Sequence, residues 1–323
     1  MFENKKILIF GGSGSLGNAF IERNIEKNKI INYSRDEAKH WAMELRFSSK
    51  NLSFIIGDIR DKERVETAII RNNPQIIIIA AALKHIDRCE FAVHEAYLTN
   101  FIGTKNIVDS VEKNVHVLSA LESVLFVSTD KACEPTNVYG MCKALSESLM
   151  VEKSLIIPSI KFVNIRYGNV LNSRGSIIPL LHEIGKDPAK KTFTLTHPDM
   201  TRFIMTLEQS LDLIEHAIQH GETGDTVLPS LISMQLKDML EIFSEKYGKP
   251  VVITQIRPGE KMLESLISET QAQRLVKDQE GYYYIKPSYK IFLGTEPIIN
   301  YNSKLNPVSK TQLAVYLNER NLL

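Results

Sequence analysis

Tyr139-Gly140-Met141-Cys142-Lys143 places a phenol four residues ahead of an amine. On a helix that spacing puts both side chains on one face. An ammonium beside a phenol stabilises the phenolate and lowers its pKa from about 10. Such a Tyr can take a proton from a hydroxyl while a nicotinamide takes the hydride. A little upstream, Ser128-Thr129-Asp130-Lys131 sets a carboxyl and an amine side by side. Neighbouring Asp and Lys bias each other toward their charged forms, so burial or substrate contact is needed to make them an acid and a base.

Near the start of the chain, Gly11-Gly12-Ser13-Gly14-Ser15-Leu16-Gly17 follows a short apolar run and opens a helical pattern. In that strand–turn–helix setting one glycine makes the tight turn, one lets the backbone approach a pyrophosphate, and one lets helix and strand pack closely. The free N–H groups of the helix start face the anion. The residues expected to hold a dinucleotide here are Gly11, Gly14, Ser15, Leu16 and Gly17. The second strand ends in Tyr33-Ser34-Arg35-Asp36-Glu37. An acid at that point binds a ribose 2′-hydroxyl and an Arg accommodates a 2′-phosphate. Ser34 and Arg35 come first, which favours NADP and leaves NAD open. Asp58, with Ile59 beside it, follows the third strand, where it can bond an adenine amino group.

These groups need a scaffold, and the pattern supplies one. Strands are predicted at 6–10, 29–33, 52–56, 76–79, 123–128 and 160–166, alternating with helices over about 16–27, 62–72, 92–113 and 137–152. Uninterrupted β-branched runs such as Ile76 to Ile79 fit parallel strands covered on both faces. Alternating βα units imply an α/β fold with a doubly wound, Rossmann-type parallel sheet. After about residue 167, Pro179, Pro188, Pro198 and Pro229 break the chain into shorter elements. Helices are expected over 207–220 and 236–247, with a strand at 251–253. The expected organisation is a dinucleotide-binding domain over 1–167, to which about 200–225 return. A smaller α/β substrate-binding cap over 168–290 and an irregular peripheral tail over 291–323 complete it.

Together these motifs resemble the extended short-chain dehydrogenase/reductase family, and within it the nucleotide-sugar 4,6-dehydratases of the UDP-N-acetylglucosamine type. The resemblance runs from about Lys5 to Pro287. It is carried by Ser128 to Ala132, Pro135 to Gly140 with Lys143, Ala80 to His85, Arg166 to Val170, Ser173 to Ser176, Met200 to Phe203 and Arg257 to Lys261. It implies that Tyr139, helped by Lys143 and Thr129, deprotonates the sugar 4-hydroxyl as C4 is oxidised. It implies Asp130 as the acid for the departing C6 hydroxyl and Lys131 as the base for the C5 proton. It assigns Ala80, Ala81, Lys84 and Asn100 to the cofactor, and Lys84, Asn169, Arg174, Arg202, Arg257 and Glu260 to the substrate. Arg suits bidentate phosphate contact. The resemblance further implies a homo-oligomer and products destined for surface glycans or nonulosonic acids. UDP and GDP substrates, and either configuration at C5, stay open. A C4 epimerase on the same fold would need neither a C5 base nor a C6 acid. A non-catalytic NADP sensor would be expected to have lost Tyr139 or Lys143.

Composition narrows the classes. Among 323 residues, 39 Lys and Arg against 38 Asp and Glu give a formal charge of +1. That balance gives no support to a nucleic-acid or membrane-surface binder driven by bulk charge. Three cysteines and no CxxC argue against a disulfide framework and a thiolate zinc site and fit a reducing compartment. The longest apolar run, Ile76 to Leu83, is far short of the roughly 20 residues that span a bilayer. A cytoplasmic protein is expected. Ser128-x-x-Lys131 matches the SxxK of acyl enzymes but lacks their companion segments. His216 and His220 are four apart without an accompanying acid motif, so no metal is expected.

Overall fold

A computed structural model describes residues 3–290 and 300–323. Six parallel strands form its centre: β1 (Lys6–Phe10), β2 (Lys29–Ser34), β3 (Leu52–Ile56), β4 (Ile76–Ile79), β5 (Ser123–Val127) and β6 (Lys161–Ile165). Their spatial order is β6-β5-β4-β1-β2-β3, the doubly wound arrangement. The first helices are α1 (Ser15–Asn24), α2 (Glu37–Phe47), α3 (Lys62–Asn72), α4 (Ile86–Phe91), α5 (Val93–Tyr97), α6 (Gly103–Lys113) and α7 (Val138–Ile156). Alternate residues of one strand feed opposite faces. Leu8, Phe10, Ile77 and Ile79 pack into one apolar core with Ile107 and Met150, while Ile7, Ile9, Ile76 and Ile78 pack into the other with Phe20 and Ile214. Both faces are covered, which is why these strands read as unbroken apolar runs.

The helix expected over 92–113 is interrupted. Between α5 and α6 the chain makes a π-helical turn over Leu98–Ile102. Such bulges recur at functional sites, and this one carries Asn100.

The second half contains β7 (Asn169–Val170), α8 (Ile177–Lys186), β8 (Phe193–Leu195), β9 (Thr201–Met205), α9 (Leu207–His220), β10 (Thr226–Leu228), β11 (Ile232–Gln235), α10 (Leu236–Tyr247) and β12 (Val251–Ile253). It continues with β13 (Ser265–Ile267), α11 (Glu269–Ala272), β14 (Leu275–Lys277), β15 (Tyr283–Ile285), β16 (Tyr301–Asn302), β17 (Pro307–Val308) and α12 (Lys310–Glu319). Pro179 sits inside α8, but in its first turn, where a missing N–H costs nothing. Strand β10 pairs with β6, and the antiparallel β15 and β14 follow, so the main sheet has nine strands. Segments near 226–228 and 275–285 therefore belong to the large sheet rather than to a separate cap. Helix α9 packs on α1, β5 and β6.

The smaller layer is built on a sheet of order β17-β11-β9-β7 and on the β12–β8 pair. Its core joins Phe193, Met234 and Phe243 to Leu313 and Leu317 of α12. The expectation of an irregular peripheral tail fails for 300–323. Leu313 and Leu317 are four apart on one face of α12, and both are fully buried. Residues 291–299 of that expected tail lie outside the described residues. No helix among the described residues is long and apolar enough to cross a membrane.

Candidate active site

A cleft of about 730 Å³ opens at the carboxyl ends of β1, β4 and β5, where the strand order reverses. Ligands bind α/β sheets at that point, and the volume is that of an ordinary ligand pocket. Gly11, Gly14, Ser15, Leu16 and Gly17 line one end. Gly11 has φ +93°, and a Cβ there would lie 2.6 Å from the Ala81 backbone nitrogen, so only glycine fits. A Cβ on Gly14 would meet nothing closer than Gly11 O at 3.4 Å, so its outer side is open to the cleft. Helix α1 starts there with no side-chain cap and no acid in its first turn. Its N–H groups are left for an anion, and the cradle fits a dinucleotide pyrophosphate.

Further along β2, Asp36 caps α2 at Lys39 N and pairs with Lys39. It is thereby occupied. Arg35, half-exposed, reaches Asp58 at 3.6 Å, and Arg60 holds the same carboxylate at 2.7 Å. Ser34 Oγ contacts His40 Nε2 at 2.6 Å.

Six expected cofactor residues do not line the cleft: Ser34, Arg35 and Asp58, engaged as just described, and Ala81, Ile59 and Asn100. Ala81 packs beneath Gly11. Ile59 is buried in the sheet core against Gly103. Asn100 is 1% exposed and spends its amide on Leu83, accepting from Leu83 N at 2.7 Å and donating to Leu83 O at 2.9 Å. It fixes the loop after β4 instead of presenting a polar group to a ligand. Ala80 and Lys84 do line the cleft.

Thr129, Lys131, Tyr139 and Lys143 line its floor, while Asp130, expected as the acid, lies buried behind Lys131 and outside the lining. A 3₁₀ turn over Asp130–Ala132 follows β5, with Thr129 as its cap. Helix α7 approaches so closely that a Cβ on Gly140 would lie 2.2 Å from Lys131 O. That glycine lets α7 bring Tyr139 up beside Thr129 and Asp130. Asn137 starts α7 by accepting from Gly140 N at 2.8 Å, and its amide donates to Gly259 O at 2.9 Å. The loop bearing Arg257 and Glu260 is thus tied to the catalytic helix.

Asp130 is fully buried. Its Oδ1 accepts from Thr129 Oγ1 and from Lys131 Nζ, both at 2.8 Å, while Oδ2 has no partner. Lys131 Nζ also donates to Asn169 Oδ1 at 3.1 Å and lies 3.6 Å from Glu264 Oε1. Burial opposes the charge on Lys131, but Asp130 and Glu264 outweigh it and raise its pKa. Asn169, expected on the substrate diphosphate, spends its carbonyl oxygen on Lys131.

Tyr139 differs from expectation. Burial, and then the Asp130 carboxylate, push its pKa up, while the Thr129 hydroxyl pulls it down. Lys143 does not lower it. Its ammonium donates to Val127 O at 2.7 Å and sits 4.3 Å over the Phe126 ring. Burial lowers the pKa of Lys143 from 10.5 to about 7.

Arg174, Arg202, Arg257 and Glu260 all reach the cleft. Arg202 lies 3.9 Å from Glu260 Oε1 and donates to Thr201 O. The loop at Arg174 closes over the cradle, with Arg174 N donating to Ser15 Oγ at 3.0 Å and Lys84 donating to Arg174 O. Burial lowers the Lys84 pKa, and Arg174 adds to the effect.

Sequence reasoning missed Glu264. It is 2% exposed, lines the cleft, and has one oxygen without a hydrogen-bond partner. Burial raises its pKa against the pull of Lys131. The available signal was an acid three residues after Lys261, at the entry to an apolar strand. Arg166, seen only as part of a motif, is 1% exposed and clamps Glu147 of α7 to Leu266 O and Gln271 Oε1.

A family model described as polysaccharide biosynthesis protein matches residues 7–287. A UDP-N-acetylglucosamine 4,6-dehydratase (inverting) of Campylobacter jejuni is 35% identical over 295 residues, 90% of this chain and 85% of that one. A UDP-glucose 4-epimerase of Rickettsia prowazekii is 38% identical over 299 residues, 88% of this chain and 84% of that one. The crystal structure of Pen from Bacillus thuringiensis superposes with a TM-score of 0.90 at 29% identity, covering 100% of this chain and 99% of that one. With a glycine cradle at the switch point and Tyr139 and Lys143 on its floor, the chain belongs to the polysaccharide biosynthesis protein family of extended short-chain dehydrogenase/reductases.

Proposed function

We propose that the protein is an NADP-dependent nucleotide-sugar 4,6-dehydratase that turns UDP-N-acetylglucosamine, or its GDP-linked equivalent, into a 4-keto-6-deoxy sugar nucleotide. The product would enter surface-glycan or nonulosonic acid synthesis. One observation carries the reading: Lys131 and Asp130 are in contact at 2.8 Å beside the Tyr139 pocket. The glycine cradle at Gly11, Gly14 and Gly17 would hold a nicotinamide dinucleotide, which would supply reversible hydride transfer between C4 and C6. Tyr139 takes the proton of the 4-hydroxyl, and the C4 ketone then acidifies the C5 proton.

At rest Lys131 is an ammonium. Passing its proton across the bond to Asp130 Oδ1 makes a neutral amine and a carboxylic acid in one move. The amine removes the C5 proton, and the acid protonates the C6 hydroxyl as it leaves as water. Both groups are then charged again; hydride return at C6 is matched by addition of a solvent-exchangeable proton at C5, and release of the proton that Tyr139 took restores the starting state. Neutralising Asp130 also removes a negative charge that raises the Tyr139 pKa. Glu264 and Asn169 hold Lys131 in place. Each proton-transfer group is worth roughly 10²–10⁴-fold in rate. Arg174, Arg202 and Arg257 face the diphosphate. NADP is favoured because Asp36 is spent on capping α2, which leaves Ser34 and Arg35 at the 2′ position.

The exposed Phe91, Tyr97, Met141 and Leu145 lie on α4, α5 and α7, which pack together, and support a homo-oligomer. The Rickettsia relative favours a second reading, C4 epimerisation. NMR in deuterated water with UDP- and GDP-N-acetylglucosamine separates the two. A 4-keto-6-deoxy product carrying deuterium at C5 supports the dehydratase and names the nucleotide. A C4 epimer without deuterium at C5 establishes the epimerase and overturns the proposal.

A further inference from the structure

The end of α9 and the turn between β14 and β15 bring together groups that are far apart in sequence. His216 and His220 share a face of α9, and Glu280 comes from the turn. Ligand atoms of the three lie within 4.8 Å of one another. His216 is 6% exposed, and its ring stacks on Tyr282 with 3.8 Å between centroids. Its Nε2 lies 2.9 Å from Asp278 Oδ2. The Tyr284 hydroxyl, also beside Nε2, gives its one proton to the same carboxylate at 2.8 Å. Both neighbours of Nε2 are therefore acceptors, and Nε2 carries the ring proton. Nδ1 is left with a lone pair, facing Glu280 Oε2 at 3.2 Å. Asp278 is itself held by the Tyr284 hydroxyl and by Tyr282 N at 2.9 Å, which fixes its carboxylate against the imidazole.

We propose that His216, His220 and Glu280 form a zinc site that Asp278 orients from behind His216. Two imidazole nitrogens and one carboxylate are donors that suit Zn²⁺, with a fourth position left for water. A carboxylate bonded to the far nitrogen of a ligating His is the usual support of such a site. Zinc–ligand bonds of about 2.0–2.2 Å place donor atoms roughly 3.3 Å apart. The exposed His220 and Glu280 make that adjustment while the buried His216 keeps its place. The bound ion would tie α9, on one face of the sheet, to the antiparallel hairpin at its edge. The site lies outside the nucleotide cleft and does not rest on the proposed reaction.

The test is titration of the metal-free full-length protein with ZnCl₂, followed by calorimetry and thermal melting. The expected result is one equivalent bound with a rise in Tm. His220→Gln and Glu280→Gln, both at exposed positions, should each weaken binding at least tenfold and abolish that rise. Asp278→Asn should weaken binding roughly 10–100-fold although it touches no metal. Dehydratase or epimerase turnover should be the same in all three variants. Binding only at millimolar zinc, or binding indifferent to Asp278→Asn, would mean an adventitious ion only and would overturn the proposal. A wild-type protein that takes up no zinc would show that His216 is simply an imidazolium between Asp278 and Glu280, and would overturn it as well.

Discussion

Lys143 offers a measurement that needs no substrate. It is 3% exposed, and burial lowers its pKa from 10.5 to about 7. At 1.36 kcal/mol per unit, holding the ammonium in the fold costs about 5 kcal/mol. The sign follows from proton counting. Below pH 7 both folded and unfolded chains carry the proton, and the full cost is present. Between pH 7 and 10.5 the unfolded chain keeps a proton that the folded one has lost, so stability rises with pH, by up to about 1.4 kcal/mol per unit. Above that window the cost is gone. Lys143→Met keeps the length of the side chain and removes the titration. It also removes the bond to Val127 O and the contact with Phe126, together worth about 2 kcal/mol. At pH 6 the variant should therefore be more stable than the parent by about 3 kcal/mol, and the gain should vanish toward pH 9–10. Urea denaturation of both proteins from pH 6 to 10 gives the difference curve, in which the titrations of groups that do not interact with Lys143 cancel. Parallel curves would refute the argument, because they would mean that Lys143 keeps an ordinary pKa in the fold.

Other residues give sharper contrasts. Arg166→Met should cost about 3–5 kcal/mol by leaving Glu147 buried and unpaired, and adding Glu147→Leu should recover most of that in a chemical denaturation series. Gly11→Ala should cost stability, through its φ of +93° and its overlap with Ala81. Gly14→Ala should fold normally yet lose dinucleotide binding at least tenfold by fluorescence titration. Equal effects at the two glycines would contradict the separate roles assigned to them. Arg35→Ala should weaken NADP binding by about tenfold and leave NAD unchanged, as charge-assisted phosphate contacts are worth about 1.5–3 kcal/mol. Loss of both cofactors alike would show that Arg35 serves Asp58 instead.

The parts of the molecule that were legible in the sequence were those governed by local rules. Ile76 to Ile79 read as a buried parallel strand because both of its faces are covered, and that covering is what removes polar residues from the run. The cradle was legible because glycine is obligatory at Gly11 for reasons of backbone angle and close approach alone. The tail misled because its composition is polar while its burial rests on Leu313 and Leu317 of α12, where it docks on the cap. Strands β14 and β15 were missed for a similar reason. They are three residues each, too short for periodicity to register, and exist because an antiparallel hairpin completes the sheet's edge.

The site residues divide along the same line. Tyr139, Lys143, Asp130 and Lys131 stand close in sequence and were visible as a group. Their protonation was not, because it depends on distant partners. Lys131 owes its raised pKa partly to Glu264, which lies 133 positions downstream by the numbering. Lys143 turns toward Val127 and Phe126 rather than toward the phenol four residues before it. Asn100 carries an amide that looks available but is spent on Leu83, and Asn169 gives its carbonyl oxygen to Lys131, which leaves only its N–H donors for a ligand. A motif specifies which functional groups arrive, and the packing around them decides which still have a lone pair or a proton to offer. That division is why the measurements proposed for this cleft are titrations as much as substitutions.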